Sequence, residues 1–324
     1  MVETEHEMIV FGPVPSRRLG RSLGINNIPP KSCSYSCIYC QVGPTLQQEI
    51  ELRAFYEPEK IALAVTHQVE TVQTAGENID YLTFVPDGEP TLDINLGKTI
   101  DLLQPLGIRI AVISNASLLW RMDVRQALCK ADWVSLKVDT VDEDIWRQIN
   151  QPHPMLQLPK ILQGIQRFAE TFRGELATET MLVAGVNDKP ESVVAVADFL
   201  ATFKPQTAWL AVPIRPPAQS GVQIPGEDKI VQAYEILKAR LNNVQYLITY
   251  EGDYFTSTGT PIKDLLAITA VHPMREEAVR HFLAQQACDW NLVQALLDKG
   301  EIREVHFAGK RFYVRAIKKV SGNP

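Results

Sequence analysis

The sequence predicts an α/β protein built as a partial TIM-like (β/α)6 barrel over residues 1–250, a connecting segment over 251–272, and a small winged-helix-like domain over 273–324. Three observations predict it. Short runs rich in Val, Ile, Leu and Thr alternate with stretches of helical period, the pattern of β/α units stacked on a parallel sheet. In the run 133–139, Ser135, Lys137 and Asp139 share one face while Val134, Leu136 and Val138 share the other. A strand covered by helices on both faces would be apolar throughout, so the polar face lines the lumen or rim of a barrel. Finally, two short amphipathic helices near the C-terminus precede a pattern that alternates about a glycine turn.

Taken in order, strands are expected at 22–27, 81–85, 109–114, 133–139, 178–183, 208–213 and 244–250. These are too few for eight full units, so the barrel is expected to be open on one side. Between them, Pro58 opens a helix whose Ile61, Val65 and Val69 recur on one face, and Pro190 opens another with Val193, Ala197 and Leu200. The segment 251–273, with Gly252, Gly259 and Pro261, reads as turns around one short apolar run. Beyond it, Val279, Phe282 and Leu283 mark one helix, Leu292, Ala295 and Leu296 a second, and 300–314 a hairpin turning at Ala308-Gly309-Lys310.

Composition narrows the function classes. The 324 residues are 45% hydrophobic and 22% charged with a net charge of −6, which describes a globular protein with a large core and excludes disorder and coiled coil. No run approaches 18 apolar residues, and Glu3, Glu5 and Glu7 stand where a secretory signal carries positive charge, so no membrane association and a cytoplasmic location are expected. A chain this acidic is not coated for gripping nucleic acid. From Pro273 onward, however, nine Lys and Arg face six Asp and Glu, a local excess of +3.

Of the five cysteines, Cys33, Cys37 and Cys40 fall within eight residues, too close together to staple a fold. Three is the informative number. Structural zinc usually takes four ligands, and neither a further Cys nor any of the six histidines sits at a matching spacing. A [4Fe-4S] cluster held by three thiolates keeps one iron open to a non-protein ligand. Cys129 and Cys288 lie far away and read as small core residues. The alternative reading is a zinc-binding regulatory or RNA-binding module without catalysis.

The spacing Cys33-x3-Cys37-x2-Cys40, with Tyr39 before the last cysteine, resembles the radical S-adenosylmethionine (radical SAM) superfamily. Asp87-Gly88-Glu89-Pro90 after a strand is similar to that family's Gly-Gly-Glu stretch, with Asp87 in place of the first glycine. Together with Arg17, Arg18 and Arg21 these motifs resemble a branch of Fe-S oxidoreductases related to wyosine tRNA synthesis. The wyosine synthetases carry three further cysteines for a second cluster, and Cys129 and Cys288 do not make three. The resemblance implies a [4Fe-4S] cluster on Cys33, Cys37 and Cys40, S-adenosylmethionine (SAM) at the open iron, and a 5′-deoxyadenosyl radical that abstracts hydrogen from substrate. It implies further that Tyr39 lies near the adenine, that Asp87, Gly88 and Glu89 meet the methionine end, and that Ser114 and Asn115 form a polar pair close to SAM or substrate. It also implies a reductant such as flavodoxin or ferredoxin.

The lumen face adds Ser135 as a cofactor contact and Lys137 with Asp139 as catalytic candidates. Lys137 is expected to neutralise a carboxylate or, if desolvated, to act as an amine nucleophile, with an internal pair to Asp139 as the plain reading. Arg215, after a strand end, is a candidate for holding a carboxylate or phosphate. The branch resemblance, the arginine cluster and the basic C-terminal module lean the substrate toward RNA, and tRNA in particular.

Overall fold

The computed structural model describes residues 9–248 and 260–316. The chain opens with a hairpin of β1 (Val10–Ser16) and β2 (Gly20–Ile25), and the cysteine loop that follows is closed by a two-residue ladder of β3 (Ser32–Cys33) with β4 (Gln47–Gln48). Then come α1 (Pro58–Thr74), β5 (Tyr81–Phe84), α2 (Leu96–Leu103), β6 (Arg109–Ser114), α3 (Met122–Leu128) and β7 (Trp133–Lys137). The barrel continues through α4 (Glu143–Asn150), α5 (Leu158–Thr171), β8 (Glu175–Met181), α6 (Pro190–Ala201), β9 (Thr207–Ala211), α7 (Glu227–Lys238) and β10 (Val244–Leu247).

One sheet in the order β1-β2-β5-β6-β7-β8-β9-β10 carries this part, with β1 antiparallel and β2 onward parallel. Among the described residues its edges, β1 and β10, do not pair, so the barrel is a half-barrel, as the strand count predicts. The helices form where their apolar faces demand: α1 buries Ile61, Val65, Val69 and Val72, and α6 buries Val193, Val196, Ala197 and Leu200 against the sheet's outer face. The inner face is layered. Leu19, Tyr81, Ala111, Trp133 and Ala177 close the bottom of the lumen, and Ile113, Lys137, Glu179 and Ala211 line a cavity above them.

Past residue 260 the elements are α8 (Pro261–Val271), β11 (Met274–Arg275), α9 (Glu276–Gln285), α10 (Asn291–Asp298), β12 (Ile302–Phe307) and β13 (Lys310–Arg315), with the small sheet ordered β11-β13-β12. The expected hairpin is present, and Ala308 and Gly309, both at positive φ, make its turn. Among the described residues the order here is helix, strand, helix, helix, hairpin. No described helix is long and apolar enough to cross a membrane.

Four expectations are corrected. Residues 10–16, where the sequence gives no expected strand, form β1; Pro13 and Pro15 are tolerated because β1 is an edge strand. Residues 261–271, read as part of a connector, form α8, whose Leu265 and Ile268 belong to the core of the small module. In α10 the buried face is Val293 and Leu296, with Ala295 exposed. Cys129 is exposed rather than in the core, while Cys288 packs partly buried against the module's core. Residues 249–250, the end of the last expected strand, and 251–259 of the connector lie outside the described residues.

Candidate functional site

A cavity of about 250 Å³ opens at the C-terminal ends of the parallel strands, where β/α barrels keep their sites. Cys33, Cys37 and Cys40 all line it, all as free thiols. The loop that presents them is held by its backbone: Cys40 N donates to Cys37 O at 3.1 Å, and Glu49 N to Cys33 O at 3.0 Å. Ser36 N and Ile38 N reach across to Asn150 O and Ile149 O at the end of α4, both at 3.0 Å. Two amide side chains point at the sulfurs, Asn115 Nδ2 at 3.5 Å from Cys33 Sγ and Asn150 Nδ2 at 3.4 Å from Cys37 Sγ.

Burial pushes all three thiols up, Cys37 to about 12 with Asp139 and Cys40 adding to it. Thiolates here need a positive centre bound to them. Among the described residues no three His, Cys, Asp or Glu side chains are gathered to hold a single metal ion. A four-iron cluster asks for something else, one thiolate at each of three corners. Three free thiols lining one cavity, with amide donors to two of the sulfurs, fit that group.

The segment 87–89 is stapled to the strand that leads into Cys33. Lys31 N donates to Asp87 O at 2.6 Å and Glu89 N to Ser32 O at 3.1 Å. Gly88 pairs with Ser32 so closely that a side chain would overlap the Ser32 carbonyl. Asp87, at the position where the resembled motif has glycine, is buried and faces Lys31 Nζ at 3.2 Å. Its burial outweighs that cation and raises the carboxyl to about 6.

Glu89 is a buried hub. Its Oε1 accepts Thr91 N at 3.1 Å, Thr91 Oγ1 at 2.6 Å and Ser114 Oγ at 2.7 Å, while Oε2 accepts Asn115 N at 2.7 Å. Ser114 and Asn115 therefore bind the end of β6 to this hub, and Asn115 also donates to Ser34 Oγ at 2.9 Å. Glu89, Ser114 and Asn115 all still line the cavity.

On the strand wall Lys137 meets Glu179, with Nζ to Oε1 at 2.5 Å, and not Asp139. The two are register partners on β7 and β8. Arg18, from the β1–β2 turn, takes the other oxygen of Glu179. Burial works to raise the Glu179 carboxyl, but Lys137 and then Arg18 overcome it and hold it down at about 2. For Lys137 burial favours the neutral amine, yet Glu179 and then Asp139 raise its value, so it remains an ammonium.

Asp139 sits beyond the end of β7 and outside the cavity lining. It accepts Tyr39 Oη, Asn150 Nδ2 at 2.7 Å and Met181 N at 2.9 Å, so it anchors Tyr39, whose ring lies 5.3 Å from the Lys137 ammonium. Ser135 is buried in the lumen between Ile113 and Ala177, its hydroxyl without a partner, and it does not line the cavity. Arg215 does line it, buried, donating to Gln41 Oε1 at 2.7 Å and lying 3.0 Å from His272 Nε2.

Glu179 and Asn150 were not singled out from sequence. Glu179 carried a signal, an acid at a lumen-facing position of an expected strand. Asn150, a lone amide at a helix end, carried none.

The family model of the radical SAM superfamily matches residues 27–200. The UPF0026 protein of Methanocaldococcus jannaschii is 45% identical over 312 residues, 96% of this chain and 97% of that one. A radical SAM methyltransferase from Sphaerobacter thermophilus superposes with a TM-score of 0.52 at 14% identity, over 70% of this chain and 67% of that one. TYW1 with a lysine-pyruvate adduct bound gives 0.52 at 18% identity, over 69% and 76%. At these identities the likeness to the solved structures is one of fold.

Proposed function

The chain belongs to the radical SAM superfamily, and from that premise we propose that its half-barrel cavity is where SAM is cleaved reductively to start hydrogen abstraction from a substrate. The observation that carries this reading is the convergence of three free thiols, Cys33, Cys37 and Cys40, on one cavity at the strands' C-terminal ends. Bound there, a [4Fe-4S] cluster would supply one electron to the sulfonium of SAM and yield methionine and a 5′-deoxyadenosyl radical. The chain's own residues bind, orient and exclude water. Asn115 and Asn150 donate toward the sulfurs, which favours the thiolate form. Glu89 Oε2, with one internal donor, keeps an acceptor site for the ammonium of methionine. Tyr39, fixed by Asp139, offers a buried aromatic wall to the adenine. A small electron carrier of the flavodoxin or ferredoxin class is the proposed reductant.

RNA is the substrate class toward which the sequence leans, and its support narrows once partners are counted. Arg18 and Arg21 pair with Glu179 and Glu77, and Arg311 pairs with Glu276 and Glu304. The exposed cations left on the hairpin are Arg303 and Lys310. Titration of total tRNA across salt decides: log K falling by roughly 0.7 to 0.9 per phosphate contact per decade supports RNA. Binding indifferent to salt and to Lys310→Glu turns the search to peptides and metabolites.

The enzyme itself is tested by anaerobic reconstitution with iron and sulfide, followed by dithionite and SAM. The expected result is acid-labile sulfide near four per chain and 5′-deoxyadenosine, both lost in Cys37→Ala. Stoichiometric zinc without sulfide, or a Cys37→Ala protein that keeps both signals, replaces the enzyme with a zinc-binding module.

A further inference from the structure

We propose that the C-terminal turn of α4 is the template that holds the cysteine loop in its ligating shape, with Asn150 as the residue that positions Cys37. The inference deepens the radical SAM reading and rests on it for the word ligating. Its basis is an exchange of hydrogen bonds between two segments that each need them. The last carbonyls of a helix have no partner within it. In α4 those of Ile149 and Asn150 accept Ile38 N and Ser36 N from the cysteine loop, both at 3.0 Å. Gln151, at φ 42°, turns the chain out of the helix, and His153 N then donates to Ser34 O at 2.9 Å. Residues 34, 36 and 38 are bonded in alternation, as in a strand. Both neighbours of Cys37 are thereby fixed to α4.

The side chains repeat the attachment. Trp146 Nε1 donates to Tyr35 Oη at 3.1 Å, with the two rings edge to face at 6.0 Å, and Ile149 packs buried against Ile38 and Tyr39. Asn150, itself buried, divides its amide between two acceptors, Asp139 Oδ2 at 2.7 Å and Cys37 Sγ at 3.4 Å. Asp139 in turn accepts Met181 N of β8 at 2.9 Å as well as Tyr39 Oη. The orientation of the amide is therefore tied to the barrel wall and not to the loop alone. A donor to a ligating sulfur favours the more negative, reduced state of a cluster. Asn150 thus places Cys37 and also bears on how readily a cluster there is reduced.

The test has one arm without a cluster and one with it, both on the full chain. In metal-free protein the Ser36 and Ile38 amides, read by NMR, are expected to exchange hydrogen at least about tenfold more slowly than in an unstructured chain. After anaerobic reconstitution, redox titration followed by electron paramagnetic resonance is expected to give Asn150→Ala a lower reduction potential than wild type at equal iron per chain. Gln148→Ala, exposed on the same turn of α4, leaves the potential unchanged. If Asn150→Ala does not fold by circular dichroism, the smaller polar change Asn150→Ser carries the same expectation. Loss of iron from a folded Asn150 variant, with Gln148→Ala keeping its own, supports the same role, since Cys37 then fails to ligate. Unprotected Ser36 and Ile38 amides in the metal-free wild type overturn the proposal. So does an Asn150 variant with the iron content and potential of wild type, or a Gln148→Ala protein that shifts as far. A chain that takes up no cluster in any form would defeat the radical SAM reading, and the exchange arm would still decide the template.

Discussion

Gly88 and Ser32 lie backbone against backbone, so that a Cβ on Gly88 would fall inside the van der Waals surface of the Ser32 carbonyl oxygen. The glycine thus holds the approach to Cys33 at a fixed distance from the end of β5.

Gly88→Ala is therefore expected to displace the cysteine loop. Overpacking of this kind costs about 1–3 kcal/mol. The measurements are the thermal midpoint and iron bound per chain after reconstitution, and both should fall. A variant that matches wild type in both would show that the loop yields without loss.

The Lys31–Asp87 pair stands where the resembled motif has a bare glycine. Asp87→Gly leaves a buried ammonium without its carboxylate, a loss of about 3–5 kcal/mol. Adding Lys31→Met should recover part of it, with a coupling energy of about 0.5–3 kcal/mol between the two sites. Urea unfolding of the four proteins of that cycle gives the value, and strict additivity would mean that the pair does not act as a unit.

Glu179 sets an acid limit on stability. Its folded value, about 2, is depressed from an ordinary 4.5, so its contribution is fully present above pH 4.5 and is lost as the pH falls toward 2. The shift corresponds to about 3 kcal/mol. Denaturant unfolding of wild type and Glu179→Gln at pH 5.5 and at pH 2.5 should show the difference between them shrinking at the lower pH. A constant difference would assign the effect of the substitution to packing alone.

Arg215 joins three parts of the chain: its own loop after β9, Gln41 beside Cys40, and His272 at the end of α8. Arg215→Ala removes those donors from His272, which is buried, and Gln41, which is half-buried, at about 1–3 kcal/mol. Hydrogen exchange should quicken in α8 and in the cysteine loop together. Faster exchange in one without the other would refute the link.

The parallel strands and the cysteine motif could be read from sequence because each is a local pattern, period two in one case and spacing in the other. Lys137 shows where that stops. Asp139, two residues on and past the end of β7, is separated from it by about 6.6 Å of extended chain, whereas Glu179 faces it across the ladder. The register of β7 on β8 is a tertiary fact, and a distance of 42 residues hides it. The same holds for β1. Its prolines argue against a strand unless the strand is known to be an edge, and edge position is a property of the assembled sheet. In α8 the run Leu265-Leu-Ala-Ile268 carries too little polar contrast to mark a helix period, and the helix takes its place because the small module's core needs a third wall.

A half-barrel, unlike a closed one, ends in two rows of unsatisfied amide and carbonyl groups that invite another chain to add a strand. Here one of those rows is short, since β10 spans Val244–Leu247. The other belongs to β1, and α8 lies against it, with Val14 of β1 packed into the core that α8 shares with the hairpin. The C-terminal module therefore stands beside the edge at which a further strand would have to add.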